Sequence, residues 1–205
     1  MPEPEPYRSG DKPYHHGSLR AALLAAAERT LREQGVEQVT LRELARQAGV
    51  SHGAPSRHFR DRQALLEELA AVGFARLGDG ITAATEKTGG DFAARLRAAA
   101  TAYVRFALDN PALLELMMTG GGTDGREPAA KVYQRPYLIL KELIRQGHES
   151  GELRPGDPER LLLIIMATFQ GIAGLVSSLK MPLEQAEALV ADATTLFVGG
   201  PAGGS

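Results

Sequence analysis

The residues that could do chemistry lie between Ser51 and His58, in the sequence SHGAPSRH. Their side chains include hydroxyls, imidazoles and one guanidinium, all hydrogen-bond donors, and the segment has no acidic residue. Such groups suit phosphate oxygens, and arginine can also pair bidentately with the edge of a guanine base. This chemistry favours contact with DNA over catalysis.

Two short helices with a turn between them would position these groups. Thr40 can cap the first helix, and Glu43 follows at the capping-box spacing, in which each side chain satisfies the other's free backbone donor. Gly49 is expected to take a positive φ and to end that helix. Val50 is apolar and would anchor the turn in the core.

The second helix is expected to be short, from Ser51 to Phe59. Ser51 is a good N-cap, and Pro55 is the fourth residue after it, in a first turn whose amides lack helical partners. A basic second helix after a glycine-containing turn predicts a helix-turn-helix at residues 40–59, with this helix in the major groove of DNA. An ordinary helical hairpin with a solvated basic face would show the same local pattern.

Charge is distributed unevenly along the 205 residues. The formal net charge is only −2, which argues against a simple polycation. The segment from Lys12 to Gly78, however, has ten Lys and Arg against seven Asp and Glu, so it carries +3 and leaves −5 for the rest of the chain. The positive charge therefore lies where the helix-turn-helix is expected.

Several classes of function find no support in the sequence. There is no cysteine, which excludes a disulfide framework, a thiolate zinc site and a cysteine nucleophile. No Gly-rich phosphate loop, His-Glu-x-x-His motif or Ser/His/Asp set can be singled out. The adjacent His15 and His16 make a poor metal site without an acidic cluster. We expect a protein that is not an enzyme and that needs no metal and no cofactor.

Two further features predict a soluble cytoplasmic protein. No apolar run reaches the roughly 18 residues of a transmembrane helix. The N-terminal sequence MPEPEPYRSGDKP is polar and acidic, unlike a signal peptide.

Helical periodicity runs through most of the remaining chain, and no sustained strand-like alternation interrupts it. The predicted fold class is therefore all-α. The expected helices cover residues 18–34, 61–87, 91–109, 112–119, 129–149 with a kink or restart at Pro136, 157–179 and 183–198. The expected domains are a disordered arm at 1–13, a helix-turn-helix domain at 14–80, a helical domain at 81–198 with a flexible loop at 120–128, and a flexible tail at 199–205.

The helix at 157–179 is unusual because it is apolar almost all round. Its sequence includes ERLLLIIMATFQGIAGLVSSLK. Such a helix lies either at the centre of a large core or at an interface shared with a partner. Gly171 and Gly174 would allow a second helix to approach closely.

Together these motifs resemble the TetR family of bacterial transcriptional regulators. The resemblance rests on YHHGSLRAALLAAA at 14–27, Gly35, VTLRELARQAGVSHGAPSRHF at 39–59 and DRQALL at 61–66. Residue type and spacing agree across three helices. The segment FALDNPALLELMM at 106–118 is similar to one subgroup of the family, whose second domain is all-helical and serves effector binding and dimerisation.

The resemblance implies a DNA-contacting surface on the helix-turn-helix. Thr40 would contact a phosphate as well as cap its helix, and Arg62 would reach a phosphate in place of the Lys usual at the start of the fourth helix. Arg57 is the better candidate for reading a base. The full set of expected DNA contacts is Thr40, Arg42, Ser51, His52, Gly53, Ala54, Ser56, Arg57, His58 and Arg62.

Two positions depart from the family pattern. Ser56 stands where an aromatic residue, most often Tyr, is usual, so one contact to a phosphate or base edge is weakened or re-aimed. Pro55 stands where an apolar residue such as Leu is common. Phosphate anchoring would then rest more on Thr40, His58 and Arg62.

The second domain would supply a ligand pocket and a dimer interface. The helix at 159–179 and the last helix would pair with their symmetry mates, which places two reading helices about one helical turn of DNA apart. The expected pocket residues, each of which could instead be simple core packing, are Tyr103, Phe106, Met117, Met118, Tyr137 and Phe169. The expected interface residues are Leu163, Ala167, Gly171, Gly174, Leu189 and Phe197.

The implied function is a homodimeric regulator, a repressor released from a double-stranded DNA operator by a small hydrophobic or amphipathic molecule. The ligand would tilt the fourth helix and change the spacing of the two readers, which requires that it prefer one conformation. An alternative is a helical sensor or adaptor whose N-terminal helices contact proteins. Salt dependence separates the two hypotheses, because the affinity of a DNA-binding protein should fall steeply as the salt concentration rises. An enzyme acting in the helical domain is disfavoured because no catalytic constellation is recognisable.

Overall fold

A computed structural model of the chain describes residues 16–120 and 127–199. The expected arm, most of the expected tail and much of the loop expected at 120–128 lie outside these residues. The all-α prediction is confirmed in the part described, where two 3₁₀ turns, Val36–Gln38 and Pro55–Arg57, accompany eight α-helices. The helices are α1 (His16–Gln34), α2 (Leu41–Gln47), α3 (Arg62–Thr88), α4 (Phe92–Asp109), α5 (Pro111–Gly120), α6 (Glu127–Glu149), α7 (Pro158–Leu179) and α8 (Leu183–Thr195).

Side-chain caps start four of these helices, at the residues where the sequence predicts those helices to begin. Each capping oxygen accepts a hydrogen bond from a backbone N–H of the first turn, at 2.7–3.2 Å. These donors would otherwise have no partner, which is why Asp and Thr are favoured at this position. The caps are Thr40 for α2, Asp61 for α3, Asp91 for α4 and Asp157 for α7.

The α-helix expected at 51–59 is wrong, because only the 3₁₀ turn Pro55–Arg57 forms there. In a helix capped at Ser51, the amide of residue 55 is the first that would bond to the cap's own carbonyl. Proline has no N–H for that bond, and its ring collides with the carbonyl four residues back. Three amides of this stretch bond instead to carbonyls three residues back, at 2.9–3.3 Å.

Two boundaries in the C-terminal half also differ from expectation. Helix α6 runs through Pro136, which excludes a restart of the helix there, while the alternative of a kink stays a prediction. Helix α8 ends at Thr195 and not at Val198, because Val198 forms an isolated antiparallel bridge with Leu153. The carbonyl of Phe197 accepts a hydrogen bond from the backbone amide of Arg154, next to Leu153, at 2.9 Å.

Helix α3 is the central element of the packing. It lies against α4, α5 and α6, while α4 in turn packs on α7 and α8. At its other end, α3 contacts α1, which also packs against α2. The buried side chains form one continuous cluster that extends from Leu19 to Phe197. One core therefore joins the helix-turn-helix to the C-terminal helices.

Gly147 of α6 lies directly against Phe92, the first residue of α4. A Cβ atom here would lie 2.4–2.7 Å from ring carbons of the buried Phe92. We expect Gly147→Ala to lower the free energy of unfolding by about 1–3 kcal/mol, the usual cost of overpacking, measured by urea denaturation. Gly80→Ala in α3 is the control: nothing lies within 4 Å of the added carbon, and helix propensity predicts a gain of about 0.5–1 kcal/mol. Equal effects of the two substitutions would contradict the close contact.

Candidate nucleic-acid interface and ligand pocket

The turn of the helix-turn-helix is held from the inside by apolar residues. Gly49 ends α2 with a φ of 66°, as predicted. Val50 and Ala54 then pack against the core, and Phe59 is buried. This packing leaves the polar side of the segment facing outward.

The expected DNA-contacting residues divide into two groups by exposure. Four of them are half-buried, since Thr40 and Ala54 pack at element ends and His58 and Arg62 lie beside the core. The remaining six are exposed: Arg42, Ser51, His52, Gly53, Ser56 and Arg57.

Two of the exposed residues are cations with unoccupied donors. Arg42 and Arg57 make no hydrogen bond or ion pair with any residue in the described ranges. Arg46 and Arg60, by contrast, are paired with Glu43 and Asp61. The unpaired guanidiniums are therefore the ones available to phosphates or base edges.

The capping box at Thr40 forms only in part. The hydroxyl of Thr40 accepts a hydrogen bond from the amide of Glu43 at 3.2 Å, as expected. The carboxylate of Glu43 does not return to the amide of Thr40 but accepts hydrogen bonds from Arg46 and Gln47, at 2.6–2.9 Å. These bonds, that from Arg46 first, lower the pKa of Glu43 to about 2. The carboxylate stays charged and neutralises Arg46.

Arg62 is engaged within the protein. Its Nε donates to the carbonyl oxygen of Val39 at 2.9 Å, and its Nη2 donates to that of Val36 at 2.7 Å. Both carbonyls belong to the loop directly before Thr40, so Arg62 fixes that loop to the start of α3. Its expected phosphate contact stays a prediction, and it would have to use the other N–H groups of the guanidinium.

Two ion pairs tie α1 to the same part of α3. Arg20 pairs with Glu68, and Arg76 pairs with Glu28, both at 2.5 Å. The guanidinium of Arg20 also lies over the ring of Phe59, 5.7 Å from its centroid. Sequence reasoning missed these contacts because the paired residues are 48 positions apart, with no local pattern to link them.

A largely apolar cavity of about 130 Å³ lies among the C-terminal helices and α3. Four of the six expected pocket residues line it: Tyr103, Met118, Tyr137 and Phe169. The other two do not. Met117 is 2% exposed and packs against Gly73, while Phe106 packs against the core without reaching the cavity.

An apolar face of α7 is left uncovered by the protomer. Leu163, Leu175 and Leu179 are 61%, 55% and 65% exposed. Ala167, Gly171 and Gly174 share this face, and a Cβ on either glycine would meet nothing within 4 Å. The opposite face of α7 is buried, so one side of this helix lies in the core, and the interface with a partner stays a prediction for its exposed side.

The last helix contributes to this exposed side only in part. Leu189 is 37% exposed, as an interface residue would be, but Phe197 is 5% exposed. Phe197 turns inward and packs against Phe169, with ring centroids 6.3 Å apart. The expectation of Phe197 as an interface residue is therefore wrong, and the exposed apolar residue at this end is Leu196.

Two further observations bear on whether the chain has a membrane-spanning helix or a metal site. Helix α7 has a mean hydropathy of 1.9 and is, among the residues the structure covers, the one helix long and apolar enough to cross a membrane. Core helices pass the same test, and α7 contributes seven buried residues to the core. Within the described ranges, no group of three or more His, Asp or Glu side chains could hold a metal ion.

Two family models match the chain. One, "Bacterial regulatory proteins, tetR family", matches residues 23–69, and the other, "Tetracyclin repressor-like, C-terminal domain", matches residues 96–196. The chain belongs to the TetR family. It is a transcriptional regulator with an N-terminal helix-turn-helix DNA-binding domain and a C-terminal helical domain.

Individual relatives agree with this assignment. A protein of unknown function from Rhodococcus sp. RHA1 is 40% identical, with a TM-score of 0.82 over 92% of this chain and 100% of that one. A TetR family transcription regulator from Marinobacter aquaeolei VT8 has the same fold, with a TM-score of 0.67 over 90% of this chain and 97% of that one, at 18% identity. The uncharacterized HTH-type transcriptional regulator YobS of Bacillus subtilis is 28% identical over 65% of this chain and 68% of its own length.

Arg62 offers a test of how this TetR-family helix-turn-helix is held. Arg62→Lys keeps the charge but cannot reproduce two hydrogen bonds from one planar group. We expect the free energy of unfolding to fall by about 1–3 kcal/mol, the usual value of hydrogen bonds to charged donors. Arg42→Lys, at an exposed arginine without described partners, is the control and should leave stability unchanged. If the two variants unfolded at the same urea concentration, Arg62 would not be holding the loop.

Proposed function

We propose that the protein is a homodimeric repressor that a small molecule releases from its DNA operator. The observation that carries this proposal is α3, one continuous helix of 27 residues. Arg62, at its start, holds the loop before the helix-turn-helix, and Phe74, Leu77 and Ile81 further along line the cavity. A ligand that displaced the cavity wall would therefore displace the DNA reader as well.

The DNA-facing side of the proposal rests on the exposed segment from Ser51 to Arg57. The 3₁₀ turn gives a shorter reader than the α-helix usual at this place, so fewer side chains can enter a groove. Arg57 is the one arginine of this segment, and we assign it to base reading. Arg42, exposed on α2, is assigned to a phosphate, where it positions the protein without reading sequence.

The uncovered face of α7 supports the proposed homodimer. Regulators of this family are dimers that bind DNA and carry ligand-binding C-terminal domains. A two-fold axis beside Ala167, Gly171 and Gly174 would let two copies of α7 approach closely and would cover the exposed leucines. Burying those leucines removes apolar surface from water and so stabilises the pair.

Domain boundaries and localisation complete the proposal. The DNA-binding domain would span residues 14–80 and the effector-binding and dimerisation domain residues 81–198. Residue 80 lies within α3, so the boundary separates roles along a single helix. A regulator of this kind acts in the cytoplasm, where its operator is accessible.

Selection of bound sequences from a random DNA pool, followed by affinity measurements at several salt concentrations, tests the proposal. We expect a near-palindromic site with half-sites about one helical turn apart and an affinity that falls steeply with salt. An adaptor that contacts proteins would enrich no sequence. Repeating the selection with candidate ligands tests release: enrichment that no ligand reduces would contradict the effector part of the proposal.

A further inference from the structure

Among the residues that the structure describes, the walls of the cavity carry no charge. All fourteen described residues that line it are apolar, aromatic or amide side chains, without any Asp, Glu, Lys, Arg or His. An ionised ligand would lose its hydration there without gaining a counter-charge, which costs several kcal/mol. The cavity therefore selects against carboxylates and ammonium groups.

Its volume limits the size of an occupant. At about 130 Å³, the cavity is close to the apolar cavity of about 150 Å³ that holds benzene in another protein. Pockets for drug-sized molecules measure roughly 300–1,000 Å³. A single ring therefore fits within the cavity, whereas a fused polycyclic molecule or a long acyl chain would have to extend through its open side or separate the helices.

The side chains that surround this space favour an aromatic ring. Phe74, Tyr103, Tyr137 and Phe169 lie around it, together with Met118 and Met166. Aromatic rings pair with one another edge-to-face, and thioether sulfur atoms make favourable contacts with ring edges. Methionine is also flexible enough to close around ligands of slightly different shape.

The cavity also has a small polar capacity. The hydroxyls of Tyr103 and Tyr137 and the amide of Gln170 make no hydrogen bond to any residue that the structure describes. Burial raises the pKa of Tyr103 above its ordinary value, so its hydroxyl stays a neutral donor and acceptor. One hydroxyl or carbonyl group on the ligand could be satisfied there.

We infer that the effector is a compact, uncharged molecule built on a single aromatic ring and carrying at most one small polar group. This inference rests on the proposed ligand-responsive function. It names the chemical class that the cavity between α3 and the C-terminal helices selects, with ring contacts from Phe74, Phe169 and the two methionines and a hydrogen bond from Tyr103.

The methionines provide a direct readout on the full chain. Two of the five, Met118 and Met166, line the cavity, whereas Met181 does not. In protein labelled with ¹³C at the methionine methyl groups, we expect toluene and phenol to shift the signals of Met118 and Met166 and to leave Met181 unchanged. Benzoate and benzylamine, charged molecules of similar size, should bind at least about tenfold more weakly, and decanol should bind more weakly than phenol.

Two variants assign the contacts. Tyr103→Phe should weaken the binding of phenol by about fivefold, the value of one hydrogen bond, and leave the binding of toluene unchanged. Ala100→Leu fills the cavity and should abolish both shifts, whereas Ala107→Leu, buried on the same helix but outside the cavity, should preserve them. Tyr103→Phe keeps the inference testable if the larger side chain at position 100 prevents folding.

The outcomes separate this inference from the proposed function. Benzoate or benzylamine binding as tightly as phenol, decanol binding more tightly, or no shift of Met118 and Met166 with either neutral ring would overturn the ligand class. Ring binding that leaves operator affinity unchanged would uphold the ligand class and contradict ligand-driven release. Release by some other compound, with no ring binding, would uphold the release and overturn the inference.

Discussion

Arg57→Ala is expected to weaken operator binding about 5- to 150-fold for each half-site, the equivalent of about 1–3 kcal/mol for a bidentate contact to a base, and the homodimer should lose the square of that factor. Arg57 is exposed at the end of the 3₁₀ turn and has no partner among the described residues, so its complete set of donors can reach DNA. Discrimination at one base-pair position of each half-site should relax in the variant. Fluorescence anisotropy with the selected operator and its single-base variants measures both effects.

Two matched substitutions separate base reading from charge. Arg57→Lys keeps the charge but loses the planar fork, so it should recover affinity for all DNA without restoring the lost discrimination. Arg42→Ala should weaken binding to all sequences about equally and reduce the salt slope by about 2, because the homodimer loses one phosphate contact, worth about 1, in each half-site. If Arg57→Ala weakened all sequences equally, Arg57 would be a phosphate contact; if it left operator affinity intact, it would not touch DNA.

Features decided by a few neighbouring residues could be predicted from the sequence. The caps at Asp61, Asp91 and Asp157 each need only a carboxylate two or three residues before the amide that it accepts from. The end of α2 at Gly49 depends only on the ability of glycine to adopt a positive φ. Such features depend on local sterics and hydrogen bonding, which a short sequence window contains in full.

The DNA-contacting segment at 51–59, called the reader, shows that a local prediction can fail because of a difference of one residue. After an N-cap at Ser51, the amides of residues 52–54 have no helical acceptor, so a proline at any of these positions costs no hydrogen bond. Pro55 is the next residue, whose amide would have to bond to the carbonyl of Ser51. That difference of one residue replaces an α-helix by a 3₁₀ turn. The family pattern conceals the effect, because the residues around Pro55, apart from Ser56, match it.

Contacts between distant parts of the chain could not be predicted. Nothing near Arg62 indicates that it bonds to carbonyls 23 and 26 residues earlier. Periodicity identified Met117 and Phe197 as apolar residues on helical faces, but burial within the protomer or exposure at a pocket or interface depends on which helix lies opposite. The sequence therefore predicts the elements well, but it does not predict which apolar residues of α5 and of the segment after α8 are buried within the protomer.

The shorter reader and the fixed loop have a joint consequence for specificity. A single 3₁₀ turn offers few side chains to a groove, so each monomer should discriminate weakly between sequences. Two readers held in a fixed spacing combine their contacts, because the second binding event becomes intramolecular. Operator affinity in this protein should therefore depend strongly on the dimer.

Ala167→Glu is expected to convert the dimer into a monomer and to reduce operator affinity by more than about 100-fold. Ala167 is exposed on the apolar face of α7, one turn before Gly171. In a two-fold interface, the same position of both subunits lies near the axis. Two carboxylates buried there would face each other without a counter-charge, at a cost of several kcal/mol each. Sedimentation velocity at micromolar concentration measures the association state.

Ala83→Glu is the matched control, since Ala83 is also exposed but lies on α3. It adds the same charge to the same domain and should leave both the dimer and operator affinity unchanged. A wild-type protein that sedimented as a monomer would count heavily against the dimer. If Ala167→Glu remained a dimer, the interface would lie away from this face of α7. If it became a monomer but bound the operator with full affinity, one helix-turn-helix would be sufficient, and the combination of two weak readers would not be the source of affinity.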